Sequence, residues 1–362
     1  KGILDVSKNP VTVWQIDSIG RIPPGVIPDL IVIDEISQLT AHAWTGDNNK
    51  ARFGMTTLKS LIQSSKRLIV TDNDLNESQI DAFKLLRINK EFRVVRNMFQ
   101  PWINTNVTIK EFRNSAVEVK KDLWSFVDVQ FEKKNQGLDY KSTAVPCHSL
   151  KMARTIYEEA IQRYGKENIL LYTSETGDEV KQHDFSNVNK TWDDKLIVIY
   201  TCTVSVGVSC TLERFSHCFA FFKAGILACT QSSQMLFRCR KLLNITISYF
   251  ESRKRKDLPL DSKDLYDWAT QSKNLMSLPD EFRNDRNPFI MTNTSTSAKA
   301  LEEALYNKFE GLLWISNEIE KNRSATYFIQ RLKSIIERAG MKVKILTQQN
   351  ITINEVNEIK QL

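Results

Sequence analysis

Asp34 and Glu35 stand side by side directly after the apolar run Leu30-Ile31-Val32-Ile33. An uninterrupted apolar run of that length is the pattern of a buried strand, and parallel α/β sheets bind their ligands beyond the carboxyl ends of the strands. An aspartate in that place can hold a divalent cation such as Mg²⁺ through water, and a neighbouring glutamate can take a proton from an attacking water. The plainer alternative is a strand that ends in two solvated acids, and the pair alone does not choose.

Two further stretches carry residue types of the same kind. Residues 196–210, LIVIYTCTVSVGVSC, run from an apolar strand into the hydroxyls Thr201, Thr203 and Ser205, then Gly207 and Ser209. Small hydroxyl residues and glycine after a strand let backbone amides approach phosphates closely, although an ordinary strand-end turn has the same composition. Residues 231–242, QSSQMLFRCRKL, have the composition of a helix on which Gln234 and Arg238, four apart, share a face with Lys241. Arg240 points elsewhere unless the helix ends there. An arginine aimed at a transferring phosphoryl group can raise its rate roughly 10³-fold. Basic residues on a helix more often simply face water.

These residues need elements to position them. Residues 1–105 alternate short apolar runs (VTVWQI, LIVIDE, RLIVTD) with helical patterns, among them 53–64 and 77–86. That alternation predicts a parallel sheet wrapped by helices. Pro101 and the polar residues after it, in QPWINTN, mark a boundary. The alternation restarts at 106 and runs to 250, with a helix over 149–164 and apolar runs VTIKEF, STAVPC, NILLYT, KLIVIYTCTV and HCFAFF. A second α/β unit follows from it. Residues 251–362 are charged and mainly helical: they open with the basic run SRKRK, more often a solvated face than a nucleic-acid contact. Leu301, Leu305, Leu312, Ile315 and Ile319 then keep helical spacing, and a helix capped near Gly340 and a strand KVKILT close the chain.

Composition narrows the function classes. At 41% hydrophobic and 26% charged residues the chain is that of a globular protein, and no stretch approaches the roughly 20 apolar residues a membrane span requires. A net charge of +7 leans toward a polyanionic partner but could equally serve solubility. The six cysteines form no C-x-x-C pair and have no histidine pair near them, which argues against structural zinc. Free thiols inside apolar runs imply a reducing compartment, cytosol or nucleus. The chain begins at Lys1 with no leader pattern, so it is expected to start within a longer polypeptide.

The order of the three stretches says more than any one of them: carboxylates first, then hydroxyls and glycine followed by a basic helix, is what ATP held between two α/β domains would need. In that order the chain resembles a superfamily-2 helicase core, most closely the herpesvirus-type replication origin-binding helicases. VTVWQIDSIGRI resembles the segment ahead of the acidic motif, DEIS the DExx motif and RLIVTDNDL the coupling motif. The stretch from DEVKQHDF through TCTVSVGVS, followed by QMLFRCRK, resembles the fifth and sixth helicase motifs. The likeness covers roughly residues 10–245. It implies two RecA-like parallel-sheet domains, the first truncated at its N-terminal side, and a C-terminal, mainly helical region. It also implies ATP and Mg²⁺ as cofactors, DNA as partner with replication proteins beside it, and an intracellular, nuclear site of action.

Carried over by motif, Asp34 would hold Mg²⁺ and Glu35 would orient the water. Gln15, Ser18, Thr201 and Thr203 would face the nucleic acid, Gly207 and Ser209 would approach the nucleotide, Gln234 would sense it, and Arg238 with Arg240 would meet the phosphoryl charge. Two departures stand against this. Phe237 occupies the place of a glycine before the arginine, and G-x-x-x-x-G-K-[ST] occurs nowhere; the one Gly-Lys pair, Gly165-Lys166, is followed by Glu167. Residues 1–362 alone are therefore expected to hydrolyse no ATP. A remnant that binds nucleic acid or a partner without hydrolysis, or an interaction scaffold, stays open beside the motor.

Overall fold

The structure, a computed structural model, describes residues 11–44, 49–204, 207–223, 225–250, 258–271 and 302–347. Ser205, the SRKRK run at 252–256 and Leu301 lie outside these described residues. The chain divides into two units, each discontinuous in sequence: residues 1–96 with 257–322, and residues 97–256 with 323–362. The C-terminal stretch, expected as a separate helical region, is thus shared between them.

In the first unit β1 (Leu30–Asp34) and β2 (Arg67–Thr71) pair in parallel, with Asp34 opposite Thr71. Ile33 is buried, but Val32 and its cross-strand neighbour Ile69 are exposed at 59% and 49%, so one face of this sheet is uncovered among the described residues. The other face packs on helices Ile36–Ala43, Asn49–Ser64 and Glu77–Leu86, and on 262–270 and 302–315 from the C-terminal stretch. Asn76 caps the helix Glu77–Leu86 reciprocally with Gln79, which is why it starts there. Arg87, buried just after that helix, donates to the carbonyls of Ile62, Ser65 and Lys66, satisfying acceptors where the helix Asn49–Ser64 ends.

VTVWQI is not a strand. Residues 11–15 have no regular structure, Val11 and Val13 are exposed, and a short helix, Ile16–Ile19, follows. Its apolar alternation finds no partner strand among the described residues; instead Ile16 and Ile19 turn onto the helix Asn49–Ser64 at Gly54. A Cβ on Gly54 would lie 2.0 Å from the Ile16 carbonyl oxygen, so the approach needs glycine.

The second unit is built on a seven-stranded, all-parallel sheet. Its strands are β3 (Asn106–Glu111), β4 (Ser142–Pro146), β5 (Ile169–Tyr172), β6 (Ile197–Tyr200), β7 (Phe215–Lys223), β8 (Asn244–Phe250) and β9 (Lys342–Thr347), in the order β5-β6-β4-β7-β8-β3-β9. Alternate residues leave opposite faces of the strands. Val145, Ile197, Ile199, Phe219 and Phe221 meet helices Ser115–Asn135 and Leu150–Tyr164, while Ala144, Val198, Tyr200, Ala220 and Phe222 meet helices Val188–Trp192, Cys229–Leu236 and Phe328–Arg338. Both faces are covered, so the α/β class with parallel strands holds and the uninterrupted apolar runs are explained. β8 and the helix Ser115–Asn135 had no sequence expectation attached to them.

The basic helix is shorter than its composition predicts. It runs over Cys229–Leu236 rather than 231–242, and Phe237 is its C-cap. Beyond it, Cys239 pairs with Cys210 in an isolated parallel bridge, with Cys210 N–H donating to the Arg238 carbonyl and Arg240 N–H to the Cys210 carbonyl. The helix ends at Leu236 and these bonds fix the turn around Cys239, so Gln234 and Arg238 do not share a helix face.

Candidate functional site

In the first unit the chemistry gathers at the carboxyl ends of the two paired strands. Asp34, exposed, accepts from the Thr71 hydroxyl through Oδ1 at 2.7 Å. Asp72, one residue on, spends both oxygens on backbone: Oδ2 takes the Ser37 N–H at 2.7 Å and Oδ1 the Asp74 N–H at 2.8 Å. Asp72 therefore ties the start of the helix Ile36–Ala43 to the turn after β2, and Asp34 is the exposed carboxylate at the end of β1. Glu35 sits at the N-cap of that helix in the left-handed region, φ 53° and ψ 58°. A non-glycine residue there costs of order 1–3 kcal/mol, and such strain concentrates at functional turns.

Among the described residues no group of three or more His, Cys, Asp or Glu side chains could hold a metal by itself. Mg²⁺ does not need such a group, because it is ordinarily held by one or two carboxylates together with substrate phosphates and waters. Asp34 would be its protein contact.

Gln15 and Ser18 fall in the same unit, ahead of β1. Gln15 is exposed and caps the short helix through its carbonyl, which accepts from the Ser18 hydroxyl at 3.0 Å. Asp17, between them, pairs with His42 at 3.0 Å.

In the second unit the segment after β6 lies beside the segment after the helix Cys229–Leu236. Arg240, exposed, donates through Nε to the Ser209 hydroxyl at 3.0 Å. Arg238 is buried and donates to the Val208 carbonyl at 3.3 Å. Of the two arginines, Arg240 is thus the one presented to solvent, and Arg238 fastens the two segments together. Gly207 has φ +79° with open space around its Cβ position, a conformation that favours glycine. Thr201 is buried with its hydroxyl 3.2 Å from that of Thr203, which is half-buried. Gln234 is half-buried on the helix Cys229–Leu236.

Two residues without sequence expectations lie at opposite ends of the sheet, His148 beyond the carboxyl end of β4 and Trp102 ahead of the first residue of β3. His148 follows β4, approaches Ser232 Oγ through Nε2 at 3.0 Å, and accepts the Lys223 N–H on Nδ1 at 3.2 Å. Stacked on Phe222 and buried, it is held neutral: burial pushes its pKa down to about 4. Trp102, from the boundary stretch, stacks on Phe237 with ring centroids 4.6 Å apart, and the Arg240 guanidinium lies 5.9 Å from its ring centre. A histidine at a strand end is visible in sequence; its helix partner is not.

Comparison with known proteins bears on what this arrangement serves. The chain is 23% identical over 353 residues to the "Putative helicase/primase complex protein" of African swine fever virus (isolate Pig/Kenya/KEN-50/1950), covering 96% of this chain and 31% of that protein. It is 22% identical over 278 residues to the replication origin-binding protein of Human herpesvirus 7 (strain JI), covering 75% of this chain and 33% of that protein. The chain spans about a third of the length of these curated relatives. Among solved structures it resembles S. cerevisiae Dbp5 bound to RNA and ADP BeF3 at 8% identity and a TM-score of 0.46, covering 91% of this chain and 62% of that one. The family model described as origin of replication binding protein matches residues 6–251, and the chain belongs to that family.

Proposed function

We propose that the protein is an ATP-dependent DNA translocase of the replication machinery, working in a reducing compartment of the cell, and that residues 1–362 supply the acid pair and the arginine of its ATP site. In this reading Asp34 holds Mg²⁺ through water, Glu35 orients the attacking water and Arg240 meets the developing phosphoryl charge. Gly207 and Ser209 approach the nucleotide, Gln234 senses it, and Gln15, Ser18, Thr201 and Thr203 face the DNA backbone. The observation that carries the reading is the turn after β1: Asp72 is consumed by backbone amides while Asp34 is exposed and Glu35 is held in a strained conformation beside it. The names of the viral relatives support a role in replication.

The reading requires phosphate-holding residues from outside these 362, because G-x-x-x-x-G-K-[ST] is not among them. That same gap favours the second reading, a family member that binds nucleic acid without hydrolysing ATP. Phosphate release by the natural protein, with and without DNA, separates the two. DNA-stimulated release is expected, falling about 10²-fold or more in Glu35→Gln. Release unchanged in that variant would overturn the acid pair, and no release under any condition would leave the second reading. DNA affinity should drop steeply between about 50 and 200 mM salt if backbone contacts dominate; a flat dependence would remove nucleic acid from both readings.

A further inference from the structure

We propose that Trp102 is a positioning residue for Arg240, its indole acting as the platform that holds the guanidinium where Ser209 can fix it. This rests on the reading above in one respect only, that Arg240 is the arginine that meets phosphate; the geometry itself is independent of it.

Three contacts define the arrangement. The rings of Trp102 and Phe237 are stacked at 4.6 Å with planes 21° apart. The Arg240 guanidinium carbon lies 5.9 Å from the Trp102 ring centre, within the range of cation–π attraction. Arg240 Nε donates to Ser209 Oγ at 3.0 Å, so indole and hydroxyl together fix both the lean and the rotation of the side chain. An exposed arginine with no such hold would lose much of its rotamer freedom only on meeting a ligand, at a cost of about 1–2 kcal/mol.

Trp102 packs against the core of the second unit without a partner for its indole N–H. Its Nε1 is buried and meets no acceptor among the described residues, whereas a buried indole N–H usually finds one. The ring orientation is therefore set by stacking, at the expense of a hydrogen bond. Its backbone is fixed from the neighbouring elements: Trp102 N–H donates to the Ala339 carbonyl at 3.4 Å, Gln100 Nε2 to the Arg338 carbonyl at 3.4 Å, and the Thr105 hydroxyl to the Leu242 carbonyl at 2.6 Å. Gly340, at φ +98°, admits Gln100 so closely that a Cβ there would fall 2.8 Å from Gln100 Cβ.

This gives Phe237 a purpose. A glycine in its place, as the resemblance would have it, offers no ring for Trp102 to stack on. The departure that cast doubt on the arginine thus supplies half of its support.

The test has two arms. In residues 1–362 with ¹⁵N,¹³C-labelled arginine, the side-chain Hδ and Hε signals of Arg240, assigned through Arg240→Lys, should be displaced by the indole ring current. Trp102→Ala should return them to ordinary values, and Trp102→Phe should keep part of the displacement. In the natural protein, Trp102→Ala should lower kcat about fivefold with KM within about twofold, as loss of roughly 1 kcal/mol of cation–π support predicts, and Trp102→Phe should recover most of it. Arg240 signals identical in wild type and Trp102→Ala would overturn the proposal. So would a wild-type kcat in a folded Trp102→Ala variant when Arg240→Ala is impaired. If Arg240→Ala itself leaves turnover unchanged while the ring-current displacement is present, the phosphate role of Arg240 fails and the positioning by Trp102 stands.

Discussion

Thr71, the last residue of β2, donates its hydroxyl to Oδ1 of Asp34, the last residue of β1, at 2.7 Å across a parallel register that sets the two opposite each other. The bond restrains a carboxylate that is otherwise exposed. Replacing Thr71 by Val keeps the shape and removes the donor, which should cost about 1 kcal/mol of stability. The Mg²⁺ concentration for half-maximal turnover should rise severalfold, and Thr71→Ser should restore it. Mg²⁺ titrations of turnover, with thermal denaturation alongside, check this.

The left-handed backbone of Glu35 predicts opposite effects of two substitutions at one position. Glu35→Gly relieves the strain and should raise the stability of the first unit by about 1 kcal/mol. Glu35→Gln keeps the strain and should leave the melting midpoint near wild type. Both should abolish turnover. Equal melting of the two variants would show that the turn carries no strain.

Arg238 and Arg240 should separate by kind of damage. Arg238 is buried and bonds the Val208 carbonyl, so Arg238→Ala opens the junction of two segments and should cost about 2–3 kcal/mol of stability. Arg240 is exposed, and its loss should change stability by no more than about 0.5 kcal/mol while lowering turnover at least tenfold. Denaturant melts and turnover of both variants decide it; an Arg240→Ala protein that turns over normally would shift the role back to Arg238.

His148 should make stability depend on pH. In the fold burial holds its pKa down to about 4, whereas an unfolded chain binds the proton near 6.5. Between these values the unfolded state takes up a proton that the folded state refuses, so stability is full above about pH 6.5 and falls as pH drops toward 4. The loss is on the order of 3 kcal/mol for a group shifted this far. His217, also lowered by burial, adds to the slope in the same direction. His148→Asn should flatten the profile without erasing it, as read from denaturation midpoints at pH 7, 6 and 5.

The second unit was the more legible in sequence because its strands are covered on both faces. Ile197–Tyr200 is buried throughout, and such a strand can only be written as an apolar run. β8 hid itself by alternating: Ser248, which breaks its apolar pattern, faces Ser115 at 3.0 Å from a helix more than a hundred residues earlier. VTVWQI failed for the opposite reason, since alternation promises a strand only where another strand is there to pair. The end of the basic helix was unreadable because no glycine or proline stops it; the parallel bridge between Cys210 and Cys239 does. Asp34 and Glu35 could be found from the residues before them. Trp102 could not, because its meaning lies in Phe237 and Arg240 far along the chain.

The pairing of β3 with β9 joins Asn106 to Lys342, so one neighbour of an interior strand is synthesised long after the strand itself. Until that segment leaves the ribosome, β3 has β8 on one side and an open row of backbone donors and acceptors on the other, and the seat of the helix Phe328–Arg338 is unfilled. Pairings between distant parts of a chain form slowly, and unpaired strand edges meanwhile recruit one another. Nascent or proteolysed chains ending before β9 should therefore cling to chaperones or to each other, and the unit should acquire protease resistance only after β9 is in place.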